Sequence, residues 1–180
     1  MTKPFKLTLQ AVALAAVAGL LGLLVWRIAH QTHAPKVGST APAFTLERLT
    51  GPGRIDLSEY RGRPVVLNFW ASWCVPCKSE AAVLERAWLR YRGEGVAFVG
   101  IDFHDVTGDA RRFVAAHGLT FPMAEDGSGN ITTGKYGVTQ VPETYVIGRT
   151  GKIVEHIAGP ITGSGFSAEF ERGLATAIRA

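Results

Sequence analysis

The sequence predicts an α/β domain with a mixed β-sheet flanked by helices, preceded by one apolar helix. Two apolar runs typical of buried strands, Val65–Trp70 and Val96–Ile101, alternate with segments whose apolar residues recur at helical spacing. Two further strands and a last helix follow this alternation, which favours a mixed sheet with helices on both faces. An uninterrupted apolar run from Ala11 to Trp26 stands ahead of these elements.

The apolar run near the N-terminus predicts a membrane anchor. Counted from Leu7 to Trp26, it would measure about 30 Å as a helix, which is the thickness of the hydrocarbon core of a bilayer. A cleavable signal peptide would have a shorter apolar stretch and a small-x-small site after it, and no such site follows here. We therefore expect a transmembrane helix over residues 7–28, a cytoplasmic tail over 1–6 and a linker over 29–40. The positive-inside rule gives this orientation only weak support.

The first elements of the main domain, residues 41–180, are predicted to form a β-hairpin extension. Ala43–Leu46 and Ile55–Leu57 have the composition of short strands, and glycine and proline at Gly51–Gly53 mark the turn between them. After the first buried strand, apolar residues from Val83 to Tyr91 lie on one helical stripe. The later predicted elements are the strand Val96–Ile101, a helix from Asp109, an extended segment Phe121–Ala124, a short helix Ile131–Tyr136, the hairpin strands Thr144–Ile147 and Lys152–Ile157, and a helix from Ser167.

Both cysteines of the chain lie where the first buried strand leads into a helix. Cys74 and Cys77 are three residues apart, so on a helix their Cβ atoms are about 5–6 Å apart, close to the roughly 3.5–4.5 Å that a disulfide needs. The N-terminus of a helix favours a thiolate over a thiol. We therefore expect Cys74, as the first and more exposed sulfur, to attack, and Cys77 to resolve. A CxxC motif beside a β-α-β pattern is typical of the thioredoxin-like fold.

Three segments resemble the membrane-anchored thioredoxin-like proteins of the bacterial envelope, in particular the DsbE/CcmG branch next to ResA and TlpA. The first is Asn68–Cys77 (NFWASWCVPC) followed by Glu80, and the second is Gly38–Phe44 with the hairpin. The third, Tyr136–Tyr145 (YGVTQVPETY), is similar to the family pattern Y-G-V-x-x-x-P-E-T-[FY]. The resemblance implies a thiol:disulfide oxidoreductase that reduces apocytochrome c for haem attachment during cytochrome c maturation.

The resemblance also implies a client-binding surface around the cysteines. It implies a cis peptide between Val141 and Pro142 facing the cysteine pair, with the backbone of Val141 pairing with an extended client peptide. Trp73 is expected to shield the sulfurs from water and to shape the client surface. Pro76, in the first helical turn, is expected by analogy to restrain the disulfide toward a reducing couple.

A carboxylate that assists Cys77 cannot come from position 68. Asn68 stands where cytosolic thioredoxins have a buried aspartate, and an amide cannot take up a proton. Glu80, one helical turn after Cys77, and Glu143, beside the proline, are the two candidates for moving the proton. The alternatives are an acid near a helix N-terminus for Glu80 and a solvated loop charge for Glu143.

The composition limits the kinds of partner that the protein is expected to bind. The net charge is +4, but no basic run interleaved with aromatic residues points to nucleic acid. We expect no metal, because structural zinc needs four ligands, and no cofactor besides the redox-active Cys74–Cys77 pair. The resemblance implies client protein disulfides and a DsbD-type membrane electron donor. Because thiol–disulfide chemistry is normal outside the cytoplasm, the paired cysteines favour a redox domain on the periplasmic side of the bacterial inner membrane.

Three alternative functions stay open. The same chemistry could serve a general envelope reductase or copper-site assembly instead of cytochrome maturation. A thiol peroxidase is a second alternative, although those enzymes place Thr two residues before a lone reactive cysteine, where this chain has Ser72. The third is a non-enzymatic module that binds Cu(I) through the two cysteines.

Overall fold

The computed structural model describes residues 3–29 and 34–179. The chain divides into two compact units, residues 1–32 and 33–180. Parts of the predicted tail (1–6) and linker (29–40) therefore lie outside the described residues.

The first unit contains the helix α1, Lys3–Ala29. Its described side chains, from Val12 to Arg27, are exposed. Nowhere in the described part of the chain does a helix combine the length and the apolar character that crossing a membrane requires. The anchor expected over residues 7–28 stays a prediction.

The described part of the second unit contains a seven-stranded mixed sheet. Its strands are β1 Thr45–Arg48, β2 Arg54–Asp56, β3 Val65–Trp70, β4 Ala97–Phe103, β5 Met123–Asp126, β6 Glu143–Ile147 and β7 Ile153–Ala158. They follow the order β2-β1-β5-β4-β3-β6-β7. The central strands β3, β4 and β5 are parallel, and the outer strands pair antiparallel with their neighbours. The predicted mixed sheet is confirmed.

The N-terminal hairpin is present, but it is shifted along the chain and belongs to the main sheet. β1 begins two residues later than predicted, and Leu57 opens a 3-10 helix, Leu57–Tyr60, in place of ending the second strand. The predicted extended segment at 121–124 becomes the strand β5, which pairs with β4 on one side and with β1 on the other. β5 therefore connects the hairpin to the central strands.

Three helices flank the sheet: α2 Val75–Tyr91, α3 Thr107–Ala116 and α4 Ser164–Arg179. A 3-10 helix at Arg92–Glu94 follows α2. α3 starts two residues before the predicted Asp109, because Asp109 N and Ala110 N both bond to the carbonyl of Val106. α4 starts at Ser164, not at Ser167 as predicted, and Ser167 N bonds to the carbonyl of Gly163.

The prediction of a short helix at residues 131–136 is wrong, because this segment forms turns. The backbone N–H groups of Lys135 and Tyr136 both donate to the carbonyl of Ile131, so the hydrogen-bond ladder does not advance with the chain. Gly137 then adopts φ +67°, a left-handed conformation that glycine accepts at no steric cost.

The core lies on both faces of the sheet. One cluster of buried residues includes Trp70, Phe98 and Leu174 together with residues of α2, α3 and α4. The other is built around Phe69 and Tyr145 on the opposite face. Packing on both faces fixes the C-terminal end of β3, from which the segment bearing the cysteines leaves the sheet.

Candidate active site

Cys74 and Cys77 form a disulfide at the N-terminus of α2, with a Cα–Cα distance of 5.3 Å and an S–S distance of 2.04 Å. Cys74 is the N-cap of the helix, and its Sγ accepts a hydrogen bond of 3.1 Å from the backbone N–H of Cys77. Pro76 lies in the first turn, where the lack of an N–H costs nothing. When the disulfide opens, the Cys77 amide and the positive end of the helix stabilise negative charge on the sulfur of Cys74.

The two cysteines are almost equally buried. Cys74 is 3% exposed and Cys77 is 2% exposed, so the greater exposure expected for the leading sulfur is not observed in the disulfide form. The preference for Cys74 as the attacking group therefore depends on the amide contact at its sulfur. The neighbouring side chains of Trp73 and Val75 are 56% and 72% exposed, and they give the surface beside the disulfide an apolar character.

Trp73 is fixed to the loop that follows β4. Its indole Nε1 donates a hydrogen bond of 3.2 Å to the carbonyl oxygen of His104. One side of the ring is thus tied to the protein while more than half of the side chain faces solvent. This position fits the predicted shaping of a client surface.

The segment before Pro142 lies against the leading sulfur. The Val141–Pro142 peptide is cis, as the resemblance implied, and the carbonyl oxygen of Val141 is 3.5 Å from Sγ of Cys74. Val141, Pro142, Glu143 and Pro76 contribute to an open cavity of about 210 Å³. Three of the residues predicted to contact the client, Pro76, Val141 and Pro142, therefore line one cavity, and Trp73 does not belong to that lining.

Glu80 is buried beneath the cysteine pair. It is 1% exposed; Oε1 accepts a hydrogen bond of 2.9 Å from Asn68 Nδ2, and Oε2 accepts one of 2.9 Å from the backbone N–H of Ile161. Burial raises the pKa of the Glu80 carboxyl to about 7, although these two hydrogen bonds oppose the shift. Glu80 and Cys77 line the same small cavity of about 10 Å³. Glu80 is therefore not a surface acid at a helix end, and it can take up or release a proton near neutral pH beside the resolving cysteine.

Glu143 occupies a different place from Glu80. At the start of β6, its Oε2 is 2.6 Å from Nε2 of His156, and the side chain of Glu143 is 13% exposed. The ring of His156 stacks on that of Tyr145 at a centroid distance of 4.0 Å. Glu143 is thus a partnered, largely buried acid that lines the same cavity as Val141 and Pro142, and not a solvated loop charge.

The sequence gives no signal for His156. For Asp105, which follows the second buried strand, it leaves two interpretations open: part of the lining of a client groove, or a loop residue. His156 lies opposite Tyr145 in the β6–β7 register, a pairing that shows only after the two strands are aligned. The carboxylate of Asp105 accepts hydrogen bonds from the backbone N–H and the Oγ of Ser72, at 2.5 Å and 2.8 Å. No local pattern marks that contact, because 33 positions separate the two residues.

A metal site is not part of this arrangement. Within residues 3–29 and 34–179, no group of three or more His, Cys, Asp or Glu side chains is placed to bind a metal ion. The chemistry that the described residues support is the making and breaking of the sulfur–sulfur bond, with a buried acid beside one sulfur.

Comparison with known proteins supports this chemistry. The model of the AhpC/TSA family matches residues 37–156. The chain is 31% identical over 161 residues to the thiol-disulfide oxidoreductase ResA of Bacillus anthracis, covering 89% of this chain and 92% of that protein. It is 34% identical over 127 residues to ResA of Bacillus subtilis (strain 168), covering 71% of this chain and 70% of that protein.

Solved structures give the same result. A crystal structure from Chlorobium tepidum, described as a thiol:disulfide interchange protein DsbE, matches with a TM-score of 0.73 and 32% identity, covering 81% of this chain and 99% of that chain. A secreted disulfide oxidoreductase of Mycobacterium tuberculosis matches with a TM-score of 0.64 and 27% identity, covering 73% of this chain and 95% of that chain. The chain belongs to the AhpC/TSA family and is a thiol:disulfide oxidoreductase of the ResA and DsbE type.

Proposed function

We propose that this oxidoreductase works as a reductant of client disulfides and that its client is apocytochrome c before haem attachment. The burial of Glu80 beside Cys77 is the observation that supports reduction, as opposed to oxidation, of the client. A buried acid disfavours a second negative charge at the neighbouring sulfur, so the reduced, dithiol form of this protein is poorly stabilised. In a strong oxidant such as DsbA, by contrast, the reduced form is stabilised. The absence of a histidine between the cysteines agrees with this direction.

The proposed reaction transfers two electrons from the cysteine pair to the client. The thiolate of Cys74 attacks one sulfur of the client disulfide, forms a mixed disulfide and releases the first client thiolate. The thiol of Cys77 gives its proton to the Glu80 carboxylate and attacks Sγ of Cys74. The second client sulfur leaves as a thiolate and takes up the proton held by Glu80, and the Cys74–Cys77 disulfide forms again. We propose that a DsbD-type membrane donor returns two electrons and one proton to the pair, which restores the Cys74 thiolate and the Cys77 thiol.

The client is proposed to bind as an extended segment beside Val141. The Val141 carbonyl lies 3.5 Å from the attacking sulfur, so a peptide that pairs with this backbone brings its own disulfide to Cys74. Glu143 and Pro142 line the adjoining cavity. In c-type haem attachment the client carries a Cys-x-x-Cys-His sequence, whose two cysteines form the disulfide that Cys74 would attack.

We propose that the redox domain works on the periplasmic side of the bacterial inner membrane. The support is the apolar run from Ala11 to Trp26 in the sequence, together with the habitual use of disulfide chemistry outside the cytoplasm. Membrane fractionation, followed by protease treatment of intact spheroplasts, tests it: the domain should sediment with membranes and be cleaved without lysis. Recovery in the soluble cytoplasmic fraction would contradict the proposed location.

The client is tested most directly in cells. Deletion of the gene should lower holocytochrome c, and the wild-type gene should restore it, whereas Cys74→Ser should not. A small added dithiol should also restore holocytochrome c, because only reducing equivalents are missing. A loss that added thiol does not repair would contradict a reductant role.

The same strains separate the alternatives. Loss of copper-containing oxidase with normal holocytochrome c would point to copper-site assembly, and accumulation of oxidised, disulfide-bonded forms of many envelope proteins would point to a general reductase. A peroxidase would show thiol-dependent peroxide consumption by the purified protein. A Cu(I) module would bind copper and fail to reduce any client disulfide.

A further inference from the structure

His104 has a backbone conformation that its residue type rarely adopts. Its φ is +48°, and in the part of the chain that the structure describes no other residue except glycine has a positive φ. This left-handed conformation is costly for a residue with a Cβ, so it persists only where the surrounding structure holds it. His104 follows Phe103, the last residue of β4. Because β4 is parallel to β3, the chain leaves the sheet here at the same edge as the segment that leads to the cysteines.

The imidazole ring of His104 is held by its neighbours. It stacks on the ring of Phe103 at a centroid distance of 4.1 Å. Gly129 lies so close that a Cβ there would come within 2.5 Å of His104 Nε2. The turn that carries Gly129 is fixed in its place by the buried Asp126, whose carboxylate accepts the backbone N–H and the hydroxyl of Thr132 at 2.7 Å and 2.8 Å. The conformation of His104 is therefore supported by a well-bonded part of the domain.

The loop at His104 and Asp105 presents two hydrogen-bond acceptors to the segment before Cys74. The carbonyl oxygen of His104 accepts the indole N–H of Trp73 at 3.2 Å. The carboxylate of Asp105 accepts the backbone N–H of Ser72 at 2.5 Å and the Ser72 hydroxyl at 2.8 Å. Each of the two residues that immediately precede the attacking cysteine is thus bound by one residue of this loop.

Trp73 belongs to a part of the surface beside the disulfide that the cavity at Val141 does not include. It is 56% exposed, and it does not line that cavity. Among the described residues, the hydrogen-bonding contacts of the Cys74 sulfur are with the Cys77 N–H and the Val141 carbonyl. The loop therefore acts on the residues beside Cys74 and not on the sulfur itself.

We infer that His104 and Asp105 are positioning residues for thiol–disulfide exchange: the left-handed turn at His104 places the two acceptors that hold Ser72 and Trp73, so that the indole of Trp73 meets the client peptide in a fixed position. This inference rests on the predicted contact of Trp73 with the client. A side chain that is already fixed loses less conformational freedom when a peptide binds. Peptide affinity should therefore depend on the loop, and the chemical step at the sulfurs should not.

The test uses the reduced full-length protein in single-turnover reactions with an excess of a linear peptide closed by a disulfide. The dependence of the rate on peptide concentration gives a limiting rate and a half-saturating concentration. Asp105→Ala removes both bonds to Ser72, so it should raise the half-saturating concentration roughly tenfold and change the limiting rate by less than about twofold. Asp105→Asn should recover most of the affinity, because its oxygen can accept the Ser72 N–H and its amide can donate to the hydroxyl.

Three results in these reactions would overturn the inference. The first is an unchanged half-saturating concentration in Asp105→Ala, and the second is a loss confined to the limiting rate. The third is an Asp105→Asn variant as weak as Asp105→Ala, because the charge and not the hydrogen bonds would then be responsible. Thermal unfolding of the same variants is the control, since a merely structural role lowers the midpoint and leaves the affinity of the folded protein unchanged.

A second pair of variants tests the conformation of His104. Valine is β-branched and disfavours a positive φ, so His104→Val should turn the carbonyl away from Trp73 and weaken peptide binding. His104→Gly also removes the imidazole, but glycine accepts the left-handed conformation at no steric cost and should recover the affinity. Equal weakening in both variants would overturn the inference, because the ring and not the turn would then matter.

A measurement without any peptide separates this inference from the proposed function. Exchange of the Trp73 indole N–H with D2O, followed by NMR, should be faster in Asp105→Ala and His104→Val than in the wild type. Equal exchange rates in all of these proteins would overturn the inference, even if the protein reduces apocytochrome c. The peptide in the kinetic test has a sequence unrelated to a haem-attachment site, so failure of the proposed client would leave the differences between the variants in place.

Discussion

Asn68 Nδ2 donates a hydrogen bond of 2.9 Å to Oε1 of Glu80 on the buried side of the cysteine pair. The same nitrogen donates to Oγ1 of Thr144 at 3.0 Å. The amide thus serves as a neutral donor to the acid beside Cys77 and does not itself titrate. The proton chemistry of the site is thereby placed on Glu80, one helical turn along α2.

Replacing Asn68 by alanine should raise the pKa of Glu80 above its value of about 7. The hydrogen bond from Asn68 favours the charged carboxylate, so its loss favours the protonated acid. The pH dependence of disulfide exchange, measured with purified protein, should move to higher pH. Thr144→Val is the matched control, because it removes the other partner of Asn68 and keeps the bond to Glu80. An unmoved profile in Asn68→Ala would show that this contact does not tune the acid.

Glu80→Gln should flatten the dependence of stability on pH. The pKa of Glu80 is raised in the folded protein from 4.5 to about 7, so its contribution is fully present below pH 4.5 and is lost as pH rises through 7. The pKa shift corresponds to a loss of about 3 kcal/mol in the free energy of unfolding. Denaturant unfolding of the oxidised protein at several pH values measures it as the difference between wild type and variant. Parallel curves for the two proteins would be the contrary result.

The two acids should affect different kinetic constants. Glu80→Gln should lower kcat by roughly 100-fold, the range of a lost general acid–base group, with little effect on KM. Glu143→Gln should raise KM for the client by up to about tenfold, or about 1.4 kcal/mol, because Glu143 lines the client side of the site. Steady-state reduction of a disulfide peptide gives both constants. Equal loss of kcat in both variants would contradict the separation of roles.

Gly100→Ala should destabilise the domain by about 1–3 kcal/mol, the usual cost of overpacking a core. A Cβ at this position of β4 would come within 2.3 Å of Met123 Sδ and 2.9 Å of Trp70 Nε1. The matched control is Gly93→Ala, whose Cβ would meet nothing within 4 Å. Thermal unfolding compares the two variants. A similar unfolding midpoint for both would show that the side chains of Trp70 and Met123 move aside without loss of stability.

Local patterns predicted what depends on neighbours in sequence. The buried strand β3 and the cysteine pair at the start of α2 follow from apolar runs and spacing alone. The cis Val141–Pro142 peptide came from resemblance, because an arbitrary X–Pro bond is cis in only about 5–6% of cases. The turn segment at 131–136 was mistaken for a helix, since its composition does not reveal that two N–H groups share the carbonyl of Ile131.

Contacts between residues on different strands could not be predicted from the sequence. His156 meets Glu143 only because β7 pairs with β6 in one particular register. Asp102 has no feature in sequence that separates it from a surface acid, and it is buried on β4, a strand that lies between β3 and β5. The prediction that Cys74 is more exposed than Cys77 was also wrong for the disulfide form, because the fold covers both residues almost equally. Tertiary placement, and not residue type, decided each of these cases.

The central claim is that Cys74 attacks and Cys77 resolves. The reduced full-length variants Cys77→Ala and Cys74→Ala are each incubated with an oxidised Cys-x-x-Cys-His peptide, and the adducts are identified by mass spectrometry without reductant. Cys77→Ala should accumulate a mixed disulfide between Cys74 and the peptide, because no second sulfur resolves it, and Cys74→Ala should accumulate little. Equal adducts on both variants, or an adduct on Cys77 alone, would contradict the account.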